Sequence, residues 1–146
     1  MKTIFKNQKG FTLIELLIAL VIFAVGILGL ATMQTTSIKG NSKGRQISEA
    51  SNVAADQIEK IMSLDYDAPA LDDDGNGSGA NGVAGLDDVT TATADGNALS
   101  ADGNYQIYWN IAPDHPISGV KTINVIVAPP GNSSNVAMEV IKAELY

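Results

Sequence analysis

The chain has 146 residues, no cysteine and a formal net charge of −7 at pH 7. A chain of this size usually forms one domain, so a long apolar segment leaves only a small remainder to build a soluble core. Lys2, Lys6 and Lys9 precede the first apolar stretch, and the rest of the chain is strongly acidic. An acidic surface repels phosphate backbones, so nucleic acid is excluded as a partner. The absence of cysteine excludes disulfides and thiolate metal sites.

An uncharged and mainly apolar segment extends from residue 16 to residue 38. Spanning a bilayer takes about 20 apolar residues, so the segment is long enough to cross a membrane. Lysines precede it and acidic residues dominate the chain after it, which places the N-terminus in the cytoplasm. A secretory signal cleaved near Ala31 and a plain signal anchor are two ordinary interpretations. Neither explains Glu15, because an ionised group costs at least about 2.5 kcal/mol at the membrane centre.

The residues around Glu15 form a specific motif. Lys9-Gly10-Phe11-Thr12-Leu13-Ile14-Glu15, followed by Leu16-Leu17-Ile18-Ala19-Leu20, resembles the prepilin signature of type IV pilins and of the pseudopilins of type II secretion. The resemblance implies that a prepilin peptidase cuts after Gly10 and methylates the new N-terminal residue, Phe11. It also implies that the N-terminal helix contacts other pilin subunits and the assembly platform of the inner membrane.

Within that family, the continuation from Leu20 to Gln34 looks like the minor pilins described as type IV pilus modification protein PilV. This resemblance implies a structural subunit of the pilus. It would be a single-pass protein of the bacterial inner membrane before assembly and would lie at the cell surface afterwards. A type II secretion pseudopilin is the nearest alternative. A signal-anchored calcium-binding domain that forms no filament is an alternative from a different class.

Cleavage after Gly10 would place a cationic amine on Phe11, one helical turn from the carboxylate of Glu15. A buried carboxylate is costly unless it is paired, and an amine on a neighbouring subunit would recover much of that cost. We therefore expect Glu15 to set the register between subunits rather than to act as a catalytic acid.

The composition divides the chain into five stretches. Residues 1–10 form the leader peptide, and residues 11–38 form the transmembrane helix, which becomes the filament core. Residues 39–68 are expected to form an amphipathic helix, with a kink or short loop near Gly40 and Gly44, since each glycine disfavours helix by about 1 kcal/mol relative to alanine. Its apolar residues should face a sheet; they are Ile47, Ala50, Ala54, Ile58, Ile61 and Met62.

The stretch 69–104 is rich in Asp, Gly and Asn and is expected to be loop. Asp72, Asp74 and Asn76 match the first, third and fifth positions of a calcium-binding loop. The final position holds Val83 instead of the required carboxylate, so Asp87 or Asp88 would have to complete the shell. An ordinary solvated loop is the competing interpretation, and calcium is the one cofactor that the sequence suggests.

Residues 105–146 contain three runs typical of strands, which predict a three-stranded antiparallel meander. The expected fold class is α+β, a long N-terminal helix with a small antiparallel sheet packed on it. His115 lies in a predicted turn, and Trp109 lies on the apolar face of its strand. The chain has no second histidine to build a zinc or nucleophilic site and no nucleotide-binding motif, so we expect no enzymatic activity.

Overall fold

The computed structural model describes residues 10–73, 85–131 and 134–144. The chain divides after Asn41 into two compact units. In order, the elements are α1 (Leu13–Ser63), a short 3₁₀ helix (Pro69–Leu71), β1 (Gly96–Leu99), β2 (Gln106–Pro113), β3 (Val120–Ala128) and β4 (Val136–Ala143). The α+β fold class is therefore confirmed.

Helix α1 continues without interruption through Gly40 and Gly44, so the predicted break between residues 39 and 44 is wrong. Helix propagation adds one backbone hydrogen bond per residue once nucleation has been overcome, and helix extends on both sides of the two glycines. The conformational penalty of two glycines is too small to stop it. The helix ends at Ser63, five residues before the expected boundary at residue 68.

The sheet has four antiparallel strands in the order β1-β2-β3-β4, one more than predicted. The additional strand, β1, lies within the stretch expected to be loop. The other three strands lie within residues 105–146, where three runs typical of strands were predicted. Each strand pairs with the next one in the chain, as Trp109 with Val125 and Val125 with Met138 illustrate. The sheet is therefore a simple meander.

One face of the sheet packs on the second half of α1. Ala50, Ala54 and Ile61 are buried, and their small or branched side chains join one core cluster with the inner face of the sheet. That inner face contributes Ile107, Ile111, Ile123, Val125 and Val127. Ile47 and Met62 are exposed, so the apolar stripe that contacts the sheet is narrower than predicted.

The other face of the sheet is partly covered by the loop that precedes β1. The side-chain amide of Asn110 donates to the carbonyl oxygens of Leu86 and Asp88 at 3.2 and 2.9 Å, and that of Asn124 donates to Leu86 at 2.6 Å. The backbone N–H of Ile111 donates to Oδ2 of Asp95 at 2.6 Å. These bonds fix part of the acidic stretch to the sheet.

Candidate functional site

The beginning of α1 is a capped helix terminus. The hydroxyl oxygen of Thr12 accepts from the backbone N–H of Glu15 at 3.3 Å, and the carbonyl oxygen of Thr12 accepts from that of Leu16 at 3.2 Å. Thr12 is thus the N-cap, and Glu15 stands in the first turn, where the helix dipole favours negative charge. The spacing from Thr12 to Glu15 matches the capping-box pattern, a signal that the sequence analysis did not use.

The motif residues Gly10 and Phe11 lie before the first helical residue and are exposed. A peptidase needs access to the backbone on both sides of the bond that it cuts, and hydrogen bonds of regular helix do not block this bond. Within the described residues, Glu15 forms no ion pair. Phe11 is exposed and lies two residues before Leu13, the first residue of α1. The structure places Gly10 and Phe11 just before α1 and Glu15 in its first turn, and their roles stay predictions.

Among the residues that the structure describes, none covers the apolar side chains of the first half of α1. Every large hydrophobic residue between Phe11 and Ile38 is at least 50% exposed. The helix is long and apolar enough to cross a membrane, judged by length and composition. So much apolar surface must be covered by lipid or by other proteins.

The predicted calcium ligands fall in three places. Asp74 and Asn76 lie outside the described residues. Asp72 directly follows the 3₁₀ helix, with its Oδ1 3.7 Å from Nζ of Lys121, while Asp87 and Asp88 lie in the loop before β1. Among the described residues, no group of three or more His, Cys, Asp or Glu side chains could hold a metal ion. Calcium binding stays a prediction.

Two buried lysines of the sheet bind the end of α1 and the segment after it. Nζ of Lys142 donates to the carbonyl oxygens of Ile61, Met62 and Leu64, at 3.3, 3.1 and 2.5 Å. These carbonyls belong to the last helical turn and the residue after it, where regular i to i−4 bonding stops, and that of Ile61 also accepts from the backbone N–H of Leu64 at 3.2 Å. The cation also lies at the negative end of the helix dipole. Lys142 therefore caps the C-terminus of α1.

Lys121 faces Lys142 across β3 and β4 and holds the next segment. Its Nζ donates to the carbonyl oxygens of Tyr66 and Leu71, at 2.9 and 2.8 Å, and lies 4.6 Å from the centre of the Tyr66 ring. Desolvation raises the pKa of the Tyr66 phenol, with smaller contributions from nearby acidic residues led by Asp114. The sequence analysis missed this role, although Lys121 alternates with Ile123 and Val125 and so falls on the inner face.

Trp109 and His115, which the sequence placed on a strand and in a turn, both form structural contacts. Trp109 is half-buried against the core cluster, and its Nε1–H donates to the carbonyl oxygen of Ala70 at 3.1 Å. His115 follows the end of β2, and Thr122 donates a 2.7 Å hydrogen bond to its carbonyl oxygen. Trp109 therefore packs as core, as predicted.

Comparison with known proteins gives one result, and it concerns the N-terminus. Residues 5–31 match the family model of the prokaryotic N-terminal methylation motif. No curated protein and no solved structure matches the chain.

The methylation motif and the long apolar N-terminal helix together indicate a type IV pilin-like or pseudopilin protein. Proteins of this class are structural subunits. They are processed by a prepilin peptidase, associate with other subunits and are anchored in a membrane by the N-terminal helix.

Proposed function

We propose that the chain is a minor type IV pilin, close to the PilV type, that is cut after Gly10 and N-methylated on Phe11. The match to the methylation motif and the accessible position of Gly10 and Phe11 before α1 support the processing step. The resemblance of residues 20–34 to PilV-type minor pilins supports the subtype.

The observation that carries the proposal is the unpartnered apolar surface of α1 between Phe11 and Ile38. Before assembly the bilayer covers this surface, with the N-terminus in the cytoplasm and the sheet outside. After assembly the same surface packs against the helices of neighbouring subunits in the filament. One apolar helix thus serves both states, because lipid and neighbouring helices are equally apolar environments.

Glu15 supplies the specificity that apolar packing lacks. A helix covered in lipid or by similar helices can slide along its axis with little change in buried area, whereas a carboxylate matched to an amine is satisfied at one axial position. The amine of a neighbouring Phe11, released by cleavage, is the group that would satisfy it. The Thr12 cap supports this contact by fixing the helical turn that presents Glu15.

The proposal is tested by intact mass and N-terminal sequencing of the mature protein from the membranes and the sheared filaments of its host. We expect the chain to begin at a methylated Phe11 in both fractions. An intact Met1, or an N-terminus near Ala31, would contradict it. Deleting the gene separates the subtypes, because a minor pilin is needed for normal piliation and a type II pseudopilin for protein secretion.

A further inference from the structure

Strand β4 forms an open edge of the sheet. The order β1-β2-β3-β4 leaves one side of β4 without a neighbouring strand among the residues that the structure describes. β4 has eight residues, no proline and an unbroken register with β3, whereas β1, at the other edge, has only four residues. Proteins commonly protect an edge strand by making it short or by interrupting it with proline or a bulge. β4 has none of these three protections.

A hydrogen bond at the end of β4 shows which backbone groups face its open side. The N–H of Glu144 donates to the carbonyl oxygen of Gly119 at 3.2 Å, one position beyond the pair formed by Val120 and Ala143. Pairs in an antiparallel ladder alternate between those that exchange hydrogen bonds and those that do not. The β4 residues of the non-bonded pairs therefore direct their N–H and C=O groups away from β3. These residues are Ala137, Glu139, Ile141 and Ala143.

The side chains on both faces of β4 leave room for a further strand. Those of the four residues with free backbone groups are exposed, and Ile141 is 50% exposed although it is large and apolar. They alternate with a second row, which packs against the core cluster but stays only partly buried. This second row consists of Val136, Met138 and Val140. A strand added beside β4 would cover apolar side chains on both faces.

Glu139 selects the kind of strand that fits this edge. It is the one charged side chain in the exposed row, and β3 places the uncharged Asn124 opposite it. Glu139 forms no ion pair with the residues that the structure describes. In an antiparallel pair an opposite charge directly across is favourable and a like charge is unfavourable. The edge therefore favours a strand with a basic residue opposite Glu139.

We propose that β4 binds an extended segment of a different filament subunit, which joins the sheet as a fifth strand and places a lysine or arginine opposite Glu139. The inference rests on the proposed filament function. An extended backbone is the natural partner of a row of N–H and C=O groups repeated at every second residue. The strand contact would act together with the packing of α1, and two contacts between the same subunits strengthen one another through the raised local concentration.

The test uses the full-length chain in its host. The photoreactive amino acid benzoylphenylalanine replaces Ala137 in one strain and Ala143 in another, and sheared filaments are irradiated and analysed by mass spectrometry. We expect both probes to react with one segment of one other subunit, at positions as far apart as the probes are and with a lysine or arginine between them. The same probe at Asn97, on β1, is the matched control and should not react with that segment.

Two substitutions at Ile141 separate the backbone contact from the side chain. Proline removes an N–H that β3 does not use, so Ile141→Pro and Ile141→Thr should have similar free energies of unfolding. With the probe at Ala137, Ile141→Pro should lower the cross-linked product about tenfold, because its ring keeps a partner backbone away. Ile141→Thr keeps the N–H and should lower the product by less than about twofold. Glu139→Lys, a surface change that leaves the backbone intact, should lower it about fivefold.

The outcomes distinguish the edge contact from the filament function. A cross-link to a second copy of the chain, probes that react with unrelated segments, or no product in filaments that contain the chain would overturn the strand contact alone. An undiminished product with Glu139→Lys would overturn the basic partner residue, even if Ile141→Pro failed to fold. Absence of the chain from filaments would instead overturn the proposed function.

Discussion

The phenol of Tyr105 donates a 2.6 Å hydrogen bond to Oε2 of Glu49, and these residues stand 56 positions apart in the sequence. Tyr105 directly precedes β2, and Glu49 lies in α1 one residue before the buried Ala50. The bond links the residue before β2 to α1, the helix on which the sheet packs. It also raises the pKa of Tyr105 to about 12, together with desolvation and the negative charge of Glu49.

Tyr105→Phe should reduce the free energy of unfolding by about 1 kcal/mol at neutral pH, because it removes this hydrogen bond but keeps the ring. The folded pKa lies above the ordinary value of 10.0, so the bond contributes fully below pH 10 and is lost as the pH rises toward 12. Urea unfolding of the detergent-solubilised chain from pH 7 to 12 measures both effects. Tyr108→Phe is the control, and an equal pH dependence in both variants would contradict the assignment.

Gly96→Ala should destabilise the sheet by about 1 to 3 kcal/mol, a typical value for overpacking. Gly96 pairs with Trp109 across β1 and β2, and a Cβ atom at position 96 would overlap the indole ring. Tryptophan fluorescence during unfolding reports the loss, since Trp109 is the single tryptophan.

Gly44→Ala also replaces a glycine by alanine, but it should raise the free energy of unfolding where Gly96→Ala lowers it. No atom outside the local helix backbone lies within 4 Å of a Cβ built there, and Gly44 is helical. Alanine should therefore stabilise α1 by up to about 1 kcal/mol. A destabilising Gly44→Ala would mean that the glycine has a role that the structure does not show.

These two glycines illustrate what the sequence could predict and what it could not. The first half of α1 follows from a continuous apolar segment, and strands β2 to β4 follow from alternating apolar residues, so they were predicted. Gly44 was expected to break the helix because glycine has a low helix propensity. That expectation left out the helical residues on both sides, through which α1 continues. Strand β1 was missed because its sequence, Gly-Asn-Ala-Leu, lies in turn-like surroundings and becomes a strand only through pairing with β2.

The same limit applies to the candidate site. Gly10, Phe11 and Glu15 could be singled out from the sequence because their motif is contiguous, and their individual roles stay predictions. The lysine contacts were not found, because they join residues about 50 to 80 positions apart. No local pattern encodes which carbonyl a strand lysine will meet. The capping role of Thr12 could have been predicted, since its spacing to Glu15 is visible in the sequence.

Lys142→Met should lower the free energy of unfolding by about 2 kcal/mol. Methionine keeps most of the side-chain length but removes the charged donor that the carbonyl oxygens of Ile61, Met62 and Leu64 share. The carbonyl oxygen of Ile61 keeps the backbone N–H of Leu64 at 3.2 Å. Chemical denaturation of the full chain gives the value. Lys60→Met, at an exposed lysine of the last turn of α1, is the matched control and should change stability by less than about 0.5 kcal/mol. Equal effects would contradict the capping role of Lys142.

Calcium binding is decided by calorimetry on the full chain in detergent. If Asp72, Asp74, Asn76 and one of Asp87 or Asp88 form a site, calcium should release or absorb heat at up to millimolar concentrations, and Asp74→Asn should abolish the signal. Lys121→Met should then increase the affinity, because Nζ of Lys121 lies 3.7 Å from Asp72 and competes with a cation there. No heat at millimolar calcium would dispose of the site.

Glu15→Ala should leave cleavage and methylation at Gly10 and Phe11 largely intact while sharply reducing incorporation into filaments. In the proposed assembly the peptidase acts before subunits meet, whereas the carboxylate is needed when a neighbouring amine must be matched. Intact mass of the membrane fraction reports processing, and immunoblots of sheared filaments report incorporation.

Thr12→Val is the informative comparison, because it removes the cap at the same helix start but keeps the charge of Glu15. If Thr12→Val reduced incorporation as strongly as Glu15→Ala, the helix terminus rather than the charge would be the decisive feature. Normal incorporation of Glu15→Ala would contradict the pairing of Glu15 with Phe11 altogether.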